Sequence, residues 1–391
     1  MKPAFLLLFL AATAAAQPFV SEPVAIAAAT RPTMQTRLAP AMSIARDGDG
    51  FVAAWSGGTA INAARLDASL QPVAPVREIH PYLGDAYEAN YPDIAPLDGG
   101  GYALVWLERE NIWQPRNATA VLSRFNAVFE PSPPVAVGPL PDSGLARIAG
   151  GGAGAVSVLV QGNVVALDRN GVATLALINT WAVDDAVAAG AEIALAARAF
   201  DPGQPPCSFP TFQSACWRPA TWELKVQIGA KTFSQVFTGE LAPPAIGFGG
   251  GMHLVAWLID ANEPGGRIAA ARIRDGAALD SFAHPLILGG NTSAPSRPSI
   301  AWDGERFLVA WQVRSASDPT SFDIAAAALT PDGRVQPFNV ADTTADERNP
   351  IVTAVKPGRF VLAYEVAADA GRRQLVARTI DFKVFRRRAA R

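Results

Sequence analysis

Three stretches of the chain combine aromatic, acidic and basic residues densely enough to do chemistry: HPYLGDAYEANYP at 80–92, LERENIWQPRNA at 107–118, and the segment 200–222. They supply Tyr82, Tyr87, Glu88, Glu110, Trp113, Arg116, Trp217, Arg218 and Trp222. Aromatic rings beside charged groups bury much area at small entropic cost, which suits them to anchor a protein or a glycan. The same region holds acids, Glu88, Glu108 and Glu110, with Asp260 and Glu263 further on. Two carboxyl groups brought about 5–10 Å apart are what a glycosidase requires. Two classes of function therefore compete, a non-enzymatic binder and a glycan hydrolase. Two close carboxylates in a central pocket would favour the hydrolase, and an aromatic patch without them the binder. A third reading is a structural repeat module of a surface assembly, its loop aromatics packing only their own loops.

No other chemistry is encoded. The chain has no GxSxG, no HExxH, no phosphate-cradling glycine loop and no EF-hand. Its histidines, His80, His253 and His284, are scattered, so no metal or other cofactor is expected. The two cysteines, Cys207 and Cys216, stand in one short loop segment. In an exported chain such a pair reads most simply as a disulfide, worth about 2–3 kcal/mol by loop-closure entropy. Export itself is expected from MKPAFLLLFLAATAAAQP: one basic residue, a short apolar run and small residues before a cleavage point after Ala16. The run is too short to span a bilayer, which takes roughly 20 residues, so 1–16 reads as a signal peptide and the mature protein as secreted or periplasmic. A formal net charge of -2 gives no electrostatic reason to bind nucleic acid. Arg386, Arg387, Arg388 and Arg391 form a basic tail at 386–391 that reads as a solvated end.

What must position the loops is a repeat. SIARDGDGFVAAW at 43–55 returns as SIAWDGERFLVAW at 299–311. Aligned on the apolar run after the turn, seven copies end at Trp55, Trp106, Val160, Arg198, Trp257, Trp311 and Tyr364. Their spacings are 51, 54, 38, 59, 54 and 53 residues, the range of propeller blades. Within a copy come a short strand, an Asp-Gly turn, an apolar strand, a polar loop, a third strand, a second tight turn and a fourth strand. The reading is an all-β propeller over 17–385, most simply of seven four-stranded blades, with six or eight also compatible because copies three and four lack the Trp. The recurrent Trp then packs between blades. FVSEPVAIA at 19–27 resembles a fourth-strand segment and should complete the last blade, with 382–385 as the competing candidate. In a propeller the loops joining strands two and three share a face with those joining successive blades. Here those are the long, aromatic-rich ones, so that face is the expected binding surface.

PSIAWDGERFLVAW followed by IAAAALTPDGRVQP, and APAMSIARDGDGFVAAW followed by INAARLDASLQP, resemble a group of exported bacterial repeat proteins. Those proteins carry phrases such as PxVAxDGxxFLVVW, then an Ala-Arg-rich strand and DGxxxxP. The resemblance covers copies one, two, five, six and seven well and copies three and four poorly. It implies the propeller and no shared activity. The phrase also departs from the Ser-x-Asp-x-Gly-x-x-Trp box of sialidase-like propellers, so sialidase activity is not carried over.

Overall fold

The computed structural model describes residues 17–30, 42–57, 60–80, 88–97, 100–109, 118–140, 146–152, 155–160, 163–167, 173–177, 183–189, 192–203, 220–260, 265–290, 297–368 and 373–382. These form seven antiparallel sheets and no helix. In chain order the sheets are blade 1 (42–80), blade 2 (88–140), blade 3 (147–177), blade 4 (183–237), blade 5 (245–289), blade 6 (299–341) and blade 7 (347–381). Their first strands lie side by side from blade 1 round to blade 7 and back to blade 1, which closes the ring about a central channel.

Blade 7 has only three strands of its own, and the amino terminus supplies the rest. Phe19–Val20 and Val24–Thr30 both pair with Arg373–Asp381. The expected closure by the amino-terminal strand is what the chain does. It leaves the fourth position of no blade open to edge pairing and ties the two ends of the domain together. Arg378 reinforces the join by donating from Nη1 to the carbonyl of Ser21 at 3.1 Å.

A four-stranded blade cannot bury both of its faces, so the core is divided among the seams between blades. Each seam has its own apolar cluster, and in five of the seven blades a second-strand aromatic packs back against the blade before it. Trp106 joins blade 2 to blade 1, Trp257 joins 5 to 4, and Trp311 joins 6 to 5. Tyr364 joins 7 to 6, and Trp55 closes 1 onto 7. The packing is tight enough to demand glycine opposite one ring: a Cβ at Gly289 would lie 2.6 Å from Trp311. Two seams are exceptions, because the second strands of blades 3 and 4 carry no buried aromatic. One, between blades 2 and 3, is filled by Val105, Leu107, Val158 and Val160 among others, and the other lies between blades 3 and 4. Its buried cluster is Leu159, Val164, Ala186 and Leu195.

The Asp-Gly turn of the repeated phrase does more than reverse the chain. Asp303 is buried and accepts hydrogen bonds from the amides of Glu305 at 2.7 Å and Arg306 at 2.8 Å within its own turn. Its other oxygen accepts the amide of Gly358, in blade 7, at 2.8 Å. In blade 1 the equivalent Asp47 accepts the Tyr102 hydroxyl of blade 2 at 2.7 Å. The turn carboxylate is thus a clasp to the following blade. Removing Asp303 would leave three amides short of an acceptor, at least one of them buried. Asp303→Ala should cost about 2–4 kcal/mol in denaturant unfolding, and a loss below about 0.5 kcal/mol would show that the clasp carries nothing.

Candidate functional site

The same phrase provides a second clasp at the opposite end of the first strand, and this one lines the channel. The position preceding the apolar residue that recurs in register is Ser43, Asp93, Arg147, Asp185, Ala245, Ser299 and Ile351 in blades 1 to 7. Where it is an acceptor, it takes the amide of the next blade. Ile94 N–H donates to Ser43 Oγ at 3.3 Å and Ile148 N–H to Asp93 Oδ2 at 2.8 Å. Ile246 N–H donates to Asp185 Oδ2 at 2.8 Å and Val352 N–H to Ser299 Oγ at 3.0 Å. Proline stands just before this position at Pro92, Pro244, Pro298 and Pro350. The first strand is the sheet edge facing the channel, and proline presents no N–H there. Strand bulges lie just upstream in blades 2, 4 and 7, with Tyr91 and Asn349 at φ 53° and 55°. They end the regular pairing and re-aim the clasp residues inward.

These residues surround a cavity of about 210 Å³ at the channel mouth, on the face where first strands begin and the long loops emerge. Its wall carries two carboxylates, Asp93 and Asp185, and two guanidiniums, Arg147 and Arg297. Every carboxylate oxygen already holds a donor. Asp93 Oδ1 accepts the Ser43 hydroxyl at 2.7 Å, and Oδ2 the Ile148 amide. Asp185 Oδ2 accepts the Ile246 amide, and Oδ1 meets Arg297 Nη2. Blade 5 has only Ala245 at the clasp position, so Arg297, just before blade 6, reaches past it to Asp185 of blade 4. The guanidiniums are less well served. Arg297 has a side chain only 9% exposed, yet its Nε and Nη1 find no acceptor among the described residues. The Arg147 guanidinium, unlike its strand backbone, which pairs with Leu159, has no hydrogen-bond partner among the described residues. Desolvation, followed by the neighbouring Arg297 charge, holds its pKa down to about 10 against the pull of Asp93 and Asp185.

Behind Asp185 the site continues outward. Asp184, displaced by the bulge, accepts the Arg198 amide at 3.0 Å and lies 3.5 Å from Arg198 Nε. Arg198 sits over the Trp222 ring, 5.3 Å from its centroid, and Trp222 leans on the exposed Phe200 at 4.7 Å between centroids. Trp222 is therefore a half-buried ring joined to the cavity rim through Arg198 and Asp184.

Of the residues expected to form the site, Trp222 alone has a described side chain. Glu88 opens the first strand of blade 2, with its side chain outside the description. Tyr82, Tyr87, Glu110, Trp113, Arg116, Trp217 and Arg218 lie outside the described residues, as do Cys207, Cys216, Glu263, the segment 1–16 and the tail. Glu108 is spent on its own blade, accepting the Trp106 Nε1 proton at 2.8 Å with His80 Nδ1 at 3.6 Å. Neither it nor Asp260 lines the cavity. Asp93, Arg147, Asp185 and Arg297 escaped sequence reasoning. The available signal was the column before the apolar residue in the repeat, polar in five of its seven copies. Among the described residues, no group of three or more potential metal ligands is gathered and no helix could cross a membrane.

No family model matches the chain, and no curated protein matches it in sequence. Solved structures do. The Pan2 WD40 domain of Neurospora crassa aligns with TM-score 0.51 at 8% identity over 93% of this chain and 94% of that one. A protein of unknown function from Dyadobacter fermentans aligns with TM-score 0.49 at 10% identity, over 94% and 99%. A Trypanosoma rangeli sialidase in complex with sialic acid aligns with TM-score 0.48 at 11% identity, over 94% of this chain and 59% of that one. The fold is a seven-bladed β-propeller. At these identities the likeness extends no further than the fold.

Asp184 gives a pH signature. Burial pushes its pKa up to about 6 from 3.8, overcoming the opposing pull of Arg198 and Arg297. The folded state therefore holds this proton more tightly than the unfolded chain. The associated stability is full below about pH 4 and is lost as pH rises through about 6, a swing of at most about 3 kcal/mol. Asp184→Asn should flatten the fall in melting temperature between those limits, and parallel curves for the two proteins would contradict the assignment.

Proposed function

We propose that the chain is an exported, non-enzymatic propeller that binds a protein or glycan partner on its long-loop face. Export rests on the leader-like amino terminus, and the binding class on the chemistry left over at the channel mouth. The observation that carries the reading is the division of labour in the cavity. Its carboxylates are engaged as structural acceptors for the neighbouring blade and for Arg297, while its unmet groups are guanidinium donors. Donors of that kind recognise a ligand; they do not shuttle protons near neutral pH. From the cavity, Arg198, Trp222 and Phe200 extend the surface outward, with half-buried and exposed rings of the sort that anchor partners.

A glycan hydrolase using Asp93 and Asp185 is the second reading, favoured by the presence of both carboxylates in one cavity. Screening the mature protein against immobilised glycans and peptides separates the two. Binding without release of reducing sugar supports the first, and turnover lost in both Asp93→Asn and Asp185→Asn supports the second. For any partner found, Trp222→Ala should weaken binding by about 1–3 kcal/mol. Asp332→Ala, in an exposed turn of the opposite face, should leave it unchanged. The reverse pattern would move the site to the other face.

A further inference from the structure

Resting on that reading, we infer that the cavity at the channel mouth is a subsite for the carboxylate of a small acid of about monosaccharide size, held by Arg147, Arg297 and Ser299. Three observations converge on it. The first is hydrogen-bond arithmetic. Among the described residues Arg297 Nε and Nη1 are buried without acceptors, no acceptor is seen for the Arg147 guanidinium, and Ser299 Oγ accepts from Val352, leaving its hydroxyl hydrogen to donate. The four carboxylate oxygens in the wall are each already engaged, so the cavity offers donors and wants an acceptor. A buried donor left unmet costs about 1–3 kcal/mol, more when charged, and an oxyanion removes that cost.

The second observation is charge. Two guanidiniums face two carboxylates, so the wall is neutral before the ligand enters. A monoanion can draw on the free guanidinium edges without heavy repulsion from Asp93 and Asp185, whereas a dianion such as phosphate meets that repulsion twice. A planar carboxylate also matches the guanidinium fork, two parallel N–H donors to two oxygens.

The third is size. A cavity of about 210 Å³ falls below the roughly 300 Å³ at which pockets for drug-sized ligands begin. It fits one small acid, or one acidic unit projecting from a longer partner.

The test is a titration of the mature protein at low ionic strength with glucuronate, glutamate, glucose and inorganic phosphate, read by calorimetry and by shift in melting temperature. Glucuronate or glutamate should bind and stabilise, and glucose should not. Arg147→Gln should abolish the effect while its melting temperature without ligand stays within a few degrees of the parent. Arg147→Lys, which keeps the charge but loses the fork, should weaken binding at least about tenfold, the equivalent of one charge-assisted hydrogen bond. Asp332→Ala should titrate like the parent. No response to either acid, an equal response to phosphate, or acid binding that survives Arg147→Gln would each overturn the assignment. Long-loop-face binding of a partner, found in the screens above, would stand or fall separately.

Discussion

The structure depends on how one blade holds the next. A blade presents two apolar faces and can satisfy neither alone, so every part of the ring rests on its seams. Two devices make a seam. A buried aromatic from the second strand packs against the preceding blade, and polar side chains at the two ends of the first strand reach the following one. Their magnitudes differ. Truncating a buried Trp costs about 3–5 kcal/mol, whereas one hydrogen bond contributes about 0.5–1.5 kcal/mol net. Packing therefore carries the stability, and the clasps fix the register in which blades meet.

Seen this way, the seven seams are unequal. The channel-lining clasp links blades 1 to 2, 2 to 3, 4 to 5 and 6 to 7. Blade 5 reaches blade 6 by other means, Arg272 donating from Nη1 to the carbonyl of Pro331 at 2.6 Å. Blade 7 meets blade 1 beneath the amino-terminal strand, where Ile26 packs into the shared cluster. Between blades 3 and 4 the chain has neither the aromatic nor the clasp, because the clasp position is Arg147, a donor facing an amide that is itself a donor. What is lost in cohesion there appears as a guanidinium in the cavity wall with no acceptor among the described residues. The proposed binding site thus falls at a seam that lacks both devices, as expected where a functional group displaces a structural one.

Much of this was legible in the sequence. The period of the phrase, its Asp-Gly turns and the recurrent Trp follow from what a blade must do: reverse tightly and bury a ring against its neighbour. Seven blades and the closing strand at 19–27 came from the same reasoning. The site was less legible because its residues are not adjacent in sequence. Arg147 and Arg297 lie on blade 3 and before blade 6, and only ring closure brings them to one cavity. Asp93 and Asp185 resemble ordinary strand polar residues until the neighbouring amide is seen. The loop aromatics stand out by composition alone, which says nothing of their packing; the Trp222 ring is shared between Arg198 and Phe200 rather than standing free.

If one register position serves either cohesion or binding, Arg147 is where the exchange can be made. Arg147→Ser places at blade 3 the side chain that clasps blades 1 and 6 to their successors, within reach, by register, of the Ala186 amide. Thermal melts of this variant with and without glucuronate give both answers in one measurement. The apo melting temperature should equal or exceed that of the parent, with no shift on adding the acid. A lower apo melting temperature together with an undiminished ligand shift would contradict the exchange.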